Sequence, residues 1–273
     1  MSRKYRKVKH SSANVSATQK AYVKHHINRM RKIRITQFLI LISFFLLWEI
    51  TTRLKVIDPF IFSSPSRVLK TFIQMMVDGQ LFFHVGITLL ETFASFIIVI
   101  VLGIFIAVIL WWNDNIAQIF DPYLVILNAL PKSALAPVFI VWLGNNMKTI
   151  IVAAVSVALF GTIINLYTDF INVEEDKIKL IKTLGGSKAD VLFKVIIPSN
   201  IPSIISVMKI NIGLSLVGVI IGEFLAAKSG LGYLIVYGSQ VFKLDLVMTS
   251  IVILCVVATG LYKVLSVIEK KYK

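Results

Sequence analysis

Three ionisable side chains, Lys132, Lys209 and Glu223, fall inside stretches that are otherwise apolar, and Asn128, Asn165 and Asn211 lie in the same stretches. Charge and amide groups are costly in hydrocarbon, so such residues are candidates for a polar pathway through a membrane. Each also has a structural reading. Lys209 is placed to snorkel towards the nearer surface, Glu223 to act as a gate or pair with Lys228, and Lys132, between Pro131 and Pro137, to serve structure or gating. Soluble catalysis has little to draw on. There is no G-x-x-x-x-G-K-[ST] phosphate loop and no H-E-x-x-H zinc spacing. Gly230-x-Gly232 reads as a tight turn, His10, His25, His26 and His84 form no metal set, and the single cysteine, Cys255, reads as a small hydrophobe.

The elements that must position these residues are membrane spans. The 273-residue chain is 57% hydrophobic and only 16% charged, well below the roughly 25% charge of soluble domains. Six stretches have the length to cross a bilayer: 35–52, 89–112, 122–142, 149–168, 201–225 and 246–262. The third carries Pro131, Lys132 and Pro137, which predict distortion. Between the first two, Ser64-Pro65-Ser66 opens an apolar face from Val68 to Met76 that stops at Asp78-Gly79, predicting a short interfacial helix. No internal repeat of the secondary-transporter kind is visible.

The net charge of +15 is concentrated at one end: residues 1–34 hold 11 of the 29 Lys and Arg and no acid. A basic arm before an apolar run faces lipid headgroups, so no nucleic-acid partner is expected. With this tail cytoplasmic, cytoplasmic connections hold 20 basic residues and external ones 7. That excess predicts cytoplasmic N- and C-termini in a multi-pass protein. The expected segments are a basic tail (1–34), a first span (35–52), an external loop with the interfacial helix (53–88), a five-helix core (89–265) containing a cytoplasmic loop (169–200), and a C-terminal tail (266–273).

The loop after span four has its own pattern. Asn172 with Glu175 predicts a capping box, followed by Ile178, Ile181 and Leu184 at helical spacing. Gly185-Gly186 ends that helix. Ser187 with Asp190 opens a second, bearing Val191, Leu192, Val195 and Ile196, which Pro198 is expected to close. The apolar stripe faces away from Lys177, Lys179, Lys182 and Lys188, and must be covered by the chain's own spans or by another protein.

The run Lys179-Leu180-Ile181-Lys182-Thr183-Leu184-Gly185, nine residues, then Val195-Ile196-Ile197-Pro198 resembles the EAA motif of ATP-binding cassette (ABC) importer permeases in register. Two further stretches resemble the nitrate, sulfonate and taurine branch: Leu130 to Pro137 with Val141-Trp142-Leu143-Gly144, and Gly222-Glu223-Phe224 with Ser229 to Ile235. The similarity covers roughly residues 60–265. It departs at Lys179, which replaces the motif glutamate, and at Glu91, where many members carry arginine. Glutamate there also occurs in relatives thought to carry thiamine-precursor or riboflavin-like compounds.

The resemblance implies an all-α, polytopic protein with six transmembrane helices and the type I importer permease (MetI-like) fold, in the bacterial cytoplasmic membrane. It implies a transport subunit rather than an enzyme, binding no cofactor itself, with ATP and Mg on separate ATPase subunits. A second permease subunit, expected as a homodimer, and an extracytoplasmic solute-binding protein complete the assembly within the lipid bilayer. Coupling to the ATPase is implied for Glu175, Lys179, Leu180, Ile181, Lys182, Thr183, Leu184, Gly185 and Gly186, with Pro198 fixing where the next span begins. The solute is implied to be a nitrate-, sulfonate- or taurine-like anion or a thiamine-precursor or riboflavin-like compound. The rival reading is an ion-gradient-driven secondary transporter or channel that uses the span charges directly.

Overall fold

The structure, a computed structural model, describes residues 17–272. Among these, every regular element is helical. Contacts divide the chain into two units, residues up to 66 and residues from 67 onward.

In the first unit, α1 (Ala17–Arg53) is one continuous helix, followed by the short α2 (Pro59–Phe62). The helix runs through the expected boundary between tail and span at residues 34 and 35. The segment has neither Gly nor Pro, and Lys and Arg are good helix formers, so the basic stretch from Lys20 to Arg34 continues the same helix. Arg3, Lys4, Arg6, Lys7, Lys9 and His10 lie outside the described residues. Glu49, the charge that interrupts the apolar run, accepts from the Ser66 backbone N–H (3.0 Å), the Ser66 hydroxyl (2.9 Å) and Arg53 Nε (2.6 Å). It thus caps the first turn of α3 (Pro65–Val77), whose free amides attract a carboxylate.

In the second unit, α4 (Gln80–Trp112) is a long apolar helix. The third expected span is not one kinked helix: α5 (Asp114–Ala129) and α6 (Lys132–Leu143) meet at 95°. The break falls at Leu130-Pro131, where proline disfavours helical geometry in the residue before it, while Pro122 and Pro137 remain inside helices. α7 (Met147–Ile171) follows, then α8 (Glu175–Thr183).

The fifth span starts earlier than expected. α9 (Lys188–Ala226) is a single helix with a π turn over Leu192–Ile196, so Pro198 does not close a separate short helix. The wider turn, in which the Ile197 N–H bonds to the Leu192 carbonyl, immediately precedes a proline whose ring a regular turn would crowd. α10 (Leu231–Gln240) and α11 (Leu244–Tyr272) complete the chain, and α11 extends through the expected C-terminal tail. Among the described residues five helices are long and apolar enough to cross a membrane, six if the bent α5–α6 pair counts as one span.

The core of this unit is α7 between α4 and α9. A Cβ on Gly218 of α9 would lie 2.6 Å from the Ala154 Cα of α7, so the backbones touch where only hydrogen fits. At one end of the bundle Ala107, Leu166, Phe170, Val191, Leu192 and Ile196 form a buried cluster. Lys188 Nζ there donates to the Trp112 carbonyl (2.7 Å) and lies 5.6 Å from the Trp111 ring centre.

Candidate functional site

At the other end, the start of α4 meets the turn between α9 and α10. The first amides of α10 have no partners within their own helix, and side chains from elsewhere satisfy them. Gly230 N–H donates to His84 Nδ1 (3.0 Å), Leu231 N–H to Thr88 Oγ1 (2.9 Å) and Gly232 N–H to Glu223 Oε2. Thr88 Oγ1 in turn donates to Glu223 Oε1 at 2.7 Å. Glu223 is only 1% exposed, so its bonds run to this cradle rather than to Lys228. Gly230 makes the cradle possible: its φ of +109° and ψ of 169° belong to glycine, and a Cβ there would lie 2.2 Å from Glu223 Oε1. The Gly230-x-Gly232 turn is thus the wall of a carboxylate site.

A second carboxyl enters it. Glu91, 2% exposed, lies beside Glu223, and its Oε2 has no hydrogen-bond partner among the described residues. In the sequence Glu91 stands out only as a departure from a motif and His84 as an isolated residue, and neither belongs to the expected pathway set. The signal was present: His84, Thr88, Glu91, Thr92 and Ser95 recur at spacings of four and three along α4, and all are buried.

The other candidate residues disperse. Asn211 is buried and donates to Thr162 Oγ1 (2.7 Å), joining α9 to α7. Lys209 pairs with Glu269 (3.0 Å) and lies 4.4 Å from the Tyr262 ring centre, which ties α9 to α11. Lys132 Nζ donates to the carbonyls of Leu127 and Asn128 (3.0 Å to the latter) and so caps the broken end of α5. Asn128 lies against Gly161 of α7, and Asn165 follows one turn later on that helix; both asparagines are exposed.

The loop at the opposite end is a helix, a glycine turn and the start of α9. Asn172 is not its N-cap: α7 runs on to Ile171, and Asn172 ends it, donating its N–H to Thr168. α8 begins at Glu175, without a side-chain cap. It ends in a paired C-cap in which Gly186 N–H bonds to Ile181 O (2.9 Å) and Gly185 N–H to Lys182 O (3.0 Å), with Gly185 at φ +79°. The Ser187–Asp190 capping box is present. The apolar stripe divides. Ile178 and Ile181 cover the buried cluster of Phe170 and Val191, whereas Leu180 and Leu184 are 59% and 75% exposed. Lys179 bonds to Glu175 within the helix (2.8 Å), which holds the Glu175 carboxyl below its usual range. Thr183 Oγ1 donates to the Lys179 carbonyl (2.9 Å), and Lys182 stands in the last turn.

Residues 99–269 match the family described as binding-protein-dependent transport system inner membrane component. The chain belongs to this family. The permease is 28% identical over 187 residues to the formylaminopyrimidine transport permease protein ThiX of Halalkalibacterium halodurans, covering 68% of this chain and 74% of that one. It is 24% identical over 217 residues to the taurine transport system permease protein TauC of Escherichia coli, covering 77% and 78%. Among solved structures, an inward-facing MetNI methionine ABC transporter matches with a TM-score of 0.62 at 18% identity, over 68% of this chain and 93% of that one. The fold is therefore that of the type I importer permeases, all-α and multi-pass, and the chain is a transport subunit of the plasma membrane that moves a small solute rather than an enzyme.

Proposed function

We propose that the permease works as one of a pair, as a homodimer, bound on its cytoplasmic face to two ATPase subunits that hold ATP and Mg, and fed from outside by a solute-binding protein. The carrying observation is the helix-and-turn from Glu175 to Gly186. It is held on the bundle by Ile178 and Ile181 while Leu180 and Leu184 stay uncovered. Apolar side chains presented at the tip of a polar loop fit a protein groove, and a helix anchored on the core can transmit its movement to the spans. The loop 169–200 is then the coupling segment and faces the cytoplasm with both termini. The glycine turn leads directly into α9, which carries the π turn and Pro198 in its first turns, so displacement of α8 acts on that span.

The solute class follows from the opposite, external end. A buried carboxyl at position 91 disfavours a bare anion and favours a solute with N–H donors, in keeping with similarity to a formylaminopyrimidine permease. We therefore place a thiamine-precursor-like aminopyrimidine ahead of a sulfonate or nitrate.

The test is co-purification in detergent of the tagged permease with an ATPase subunit from its own cells, followed by ATP hydrolysis in lipid vesicles. Wild type should retain the ATPase, and Gly185→Trp should lose or uncouple it. No atom lies within 4 Å of a Cβ at that turn, so the positive φ of Gly185 is the main cost, about 1–3 kcal/mol, and far-ultraviolet circular dichroism of the variant checks that it folds. Failure of wild type to hold any ATPase would overturn the proposal in favour of gradient-driven transport.

A further inference from the structure

A cavity of about 270 Å³ opens between the start of α4, the α6–α7 turn and the α9–α10 turn. Glu91 lines its buried wall, Ile87 and Ile150 supply apolar surface, and Asn145, Lys228 and Ser229 line the rest. The volume lies just below the roughly 300–1,000 Å³ of sites for drug-sized ligands, which suits a single-ring solute. Among the described residues, Glu91 Oε2 is a buried acceptor with no hydrogen-bond partner, beside a carboxyl, Glu223, whose oxygens are both engaged. Native interiors rarely leave such an atom unpaired without a ligand or a function to account for it.

We infer that this cavity is a solute-binding site of the permease itself, in which Glu91 accepts a hydrogen bond from an N–H group of the solute while the amide of Asn145 and the ammonium of Lys228 face its carbonyl or ring acceptors. A formylaminopyrimidine carries both kinds of group. A bare anion such as methanesulfonate has no N–H to offer, and Glu91 would remain unpaired. The inference rests on the reading of the chain as an importer permease for an aminopyrimidine. It adds that selection occurs in the membrane subunit and not only in the binding protein. Discrimination is of the strong kind, because a site built around a hydrogen bond leaves a buried group unpaired when the partner is missing.

The experiment measures equilibrium binding to the permease–ATPase complex in lipid nanodiscs without the binding protein. The probes are formylaminopyrimidine and the analogue whose exocyclic amine is dimethylated. Wild type should prefer the first at least tenfold. Glu91→Gln should keep the preference within threefold, because its amide N–H₂ can donate to Glu223 and leave the carbonyl oxygen as acceptor. Glu91→Leu should reduce the preference to about one. Asn145→Phe, at an exposed position lining the cavity, should weaken both probes at least tenfold. Retention of the preference in Glu91→Leu, or wild-type affinities in Asn145→Phe, overturns the inference alone, provided that the complete importer takes up formylaminopyrimidine with ATP. Uptake of methanesulfonate in place of the pyrimidine overturns the substrate reading and the inference with it.

Discussion

Gly230→Ala is the most informative substitution for the carboxylate cradle, because its cost has two parts that a second variant separates. The backbone at φ +109°, ψ 169° is a conformation essentially restricted to glycine, and holding alanine there costs about 1–3 kcal/mol. The added Cβ would also lie 2.2 Å from Glu223 Oε1 and 2.4 Å from its Cδ, so the carboxyl must leave its seat. Moving it breaks the bonds from Thr88 Oγ1 and Gly232 N–H, and each buried donor left unpaired costs about 1–3 kcal/mol. At mid-range Gly230→Ala therefore destabilises by about 6 kcal/mol, of which about 2 is backbone strain. In a Glu223→Ala background the clash is gone and those donors are already unpaired, so the same substitution should cost only the strain. The coupling energy of the double-mutant cycle is then about 4 kcal/mol. The assay is unfolding of the purified permease in mixed dodecylmaltoside–SDS micelles, followed by far-ultraviolet circular dichroism for wild type, both single variants and the double variant. Additivity within about 0.5 kcal/mol would show that Gly230 and Glu223 do not meet as described.

Two further substitutions test the bundle. Gly218→Ala drives a methyl to within 2.6 Å of the Ala154 Cα, and because backbone cannot yield as a side-chain tip does, α7 and α9 must separate at a cost of about 1–3 kcal/mol or more in the same unfolding assay. Asn211→Ala removes its bond to Thr162 but leaves the Thr162 hydroxyl donating to Ala158 (2.6 Å), so the loss should be only about 1 kcal/mol. A larger loss would mean that Asn211 has a further partner.

What the chain's local order encodes was legible in the sequence. Burying some twenty residues in hydrocarbon demands an apolar run, so the spans could be read from composition alone. The glycine turn at Gly185-Gly186 and the Ser187–Asp190 capping box depend on residues within a few positions of one another, and both are present. Where local signals misled, a neighbouring helix took over the residues. α7 extended to Ile171 and made Asn172 its end, and the π turn before Pro198 let α9 run through a proline expected to stop it. The dispersal of Lys132, Lys209 and Asn211 into caps and helix ties could not be read either, since their partners lie on other turns or other helices.

The carboxylate cradle belongs wholly to the tertiary structure. Thr88 and Glu223 are 135 residues apart, and His84 and Gly230 are 146 apart. Each residue alone reads as a span polar group or a turn glycine. The sequence determined that a polar stripe would run down α4 and that a glycine turn would follow α9. Only the packing of α4 against that turn decided that the stripe would cap α10, that Glu223 would be fully engaged there, and that one oxygen of Glu91 would be left without a donor among the described residues. The physical reason is that a hydrogen bond depends on distance in space, whereas helix periods and caps depend on distance along the chain.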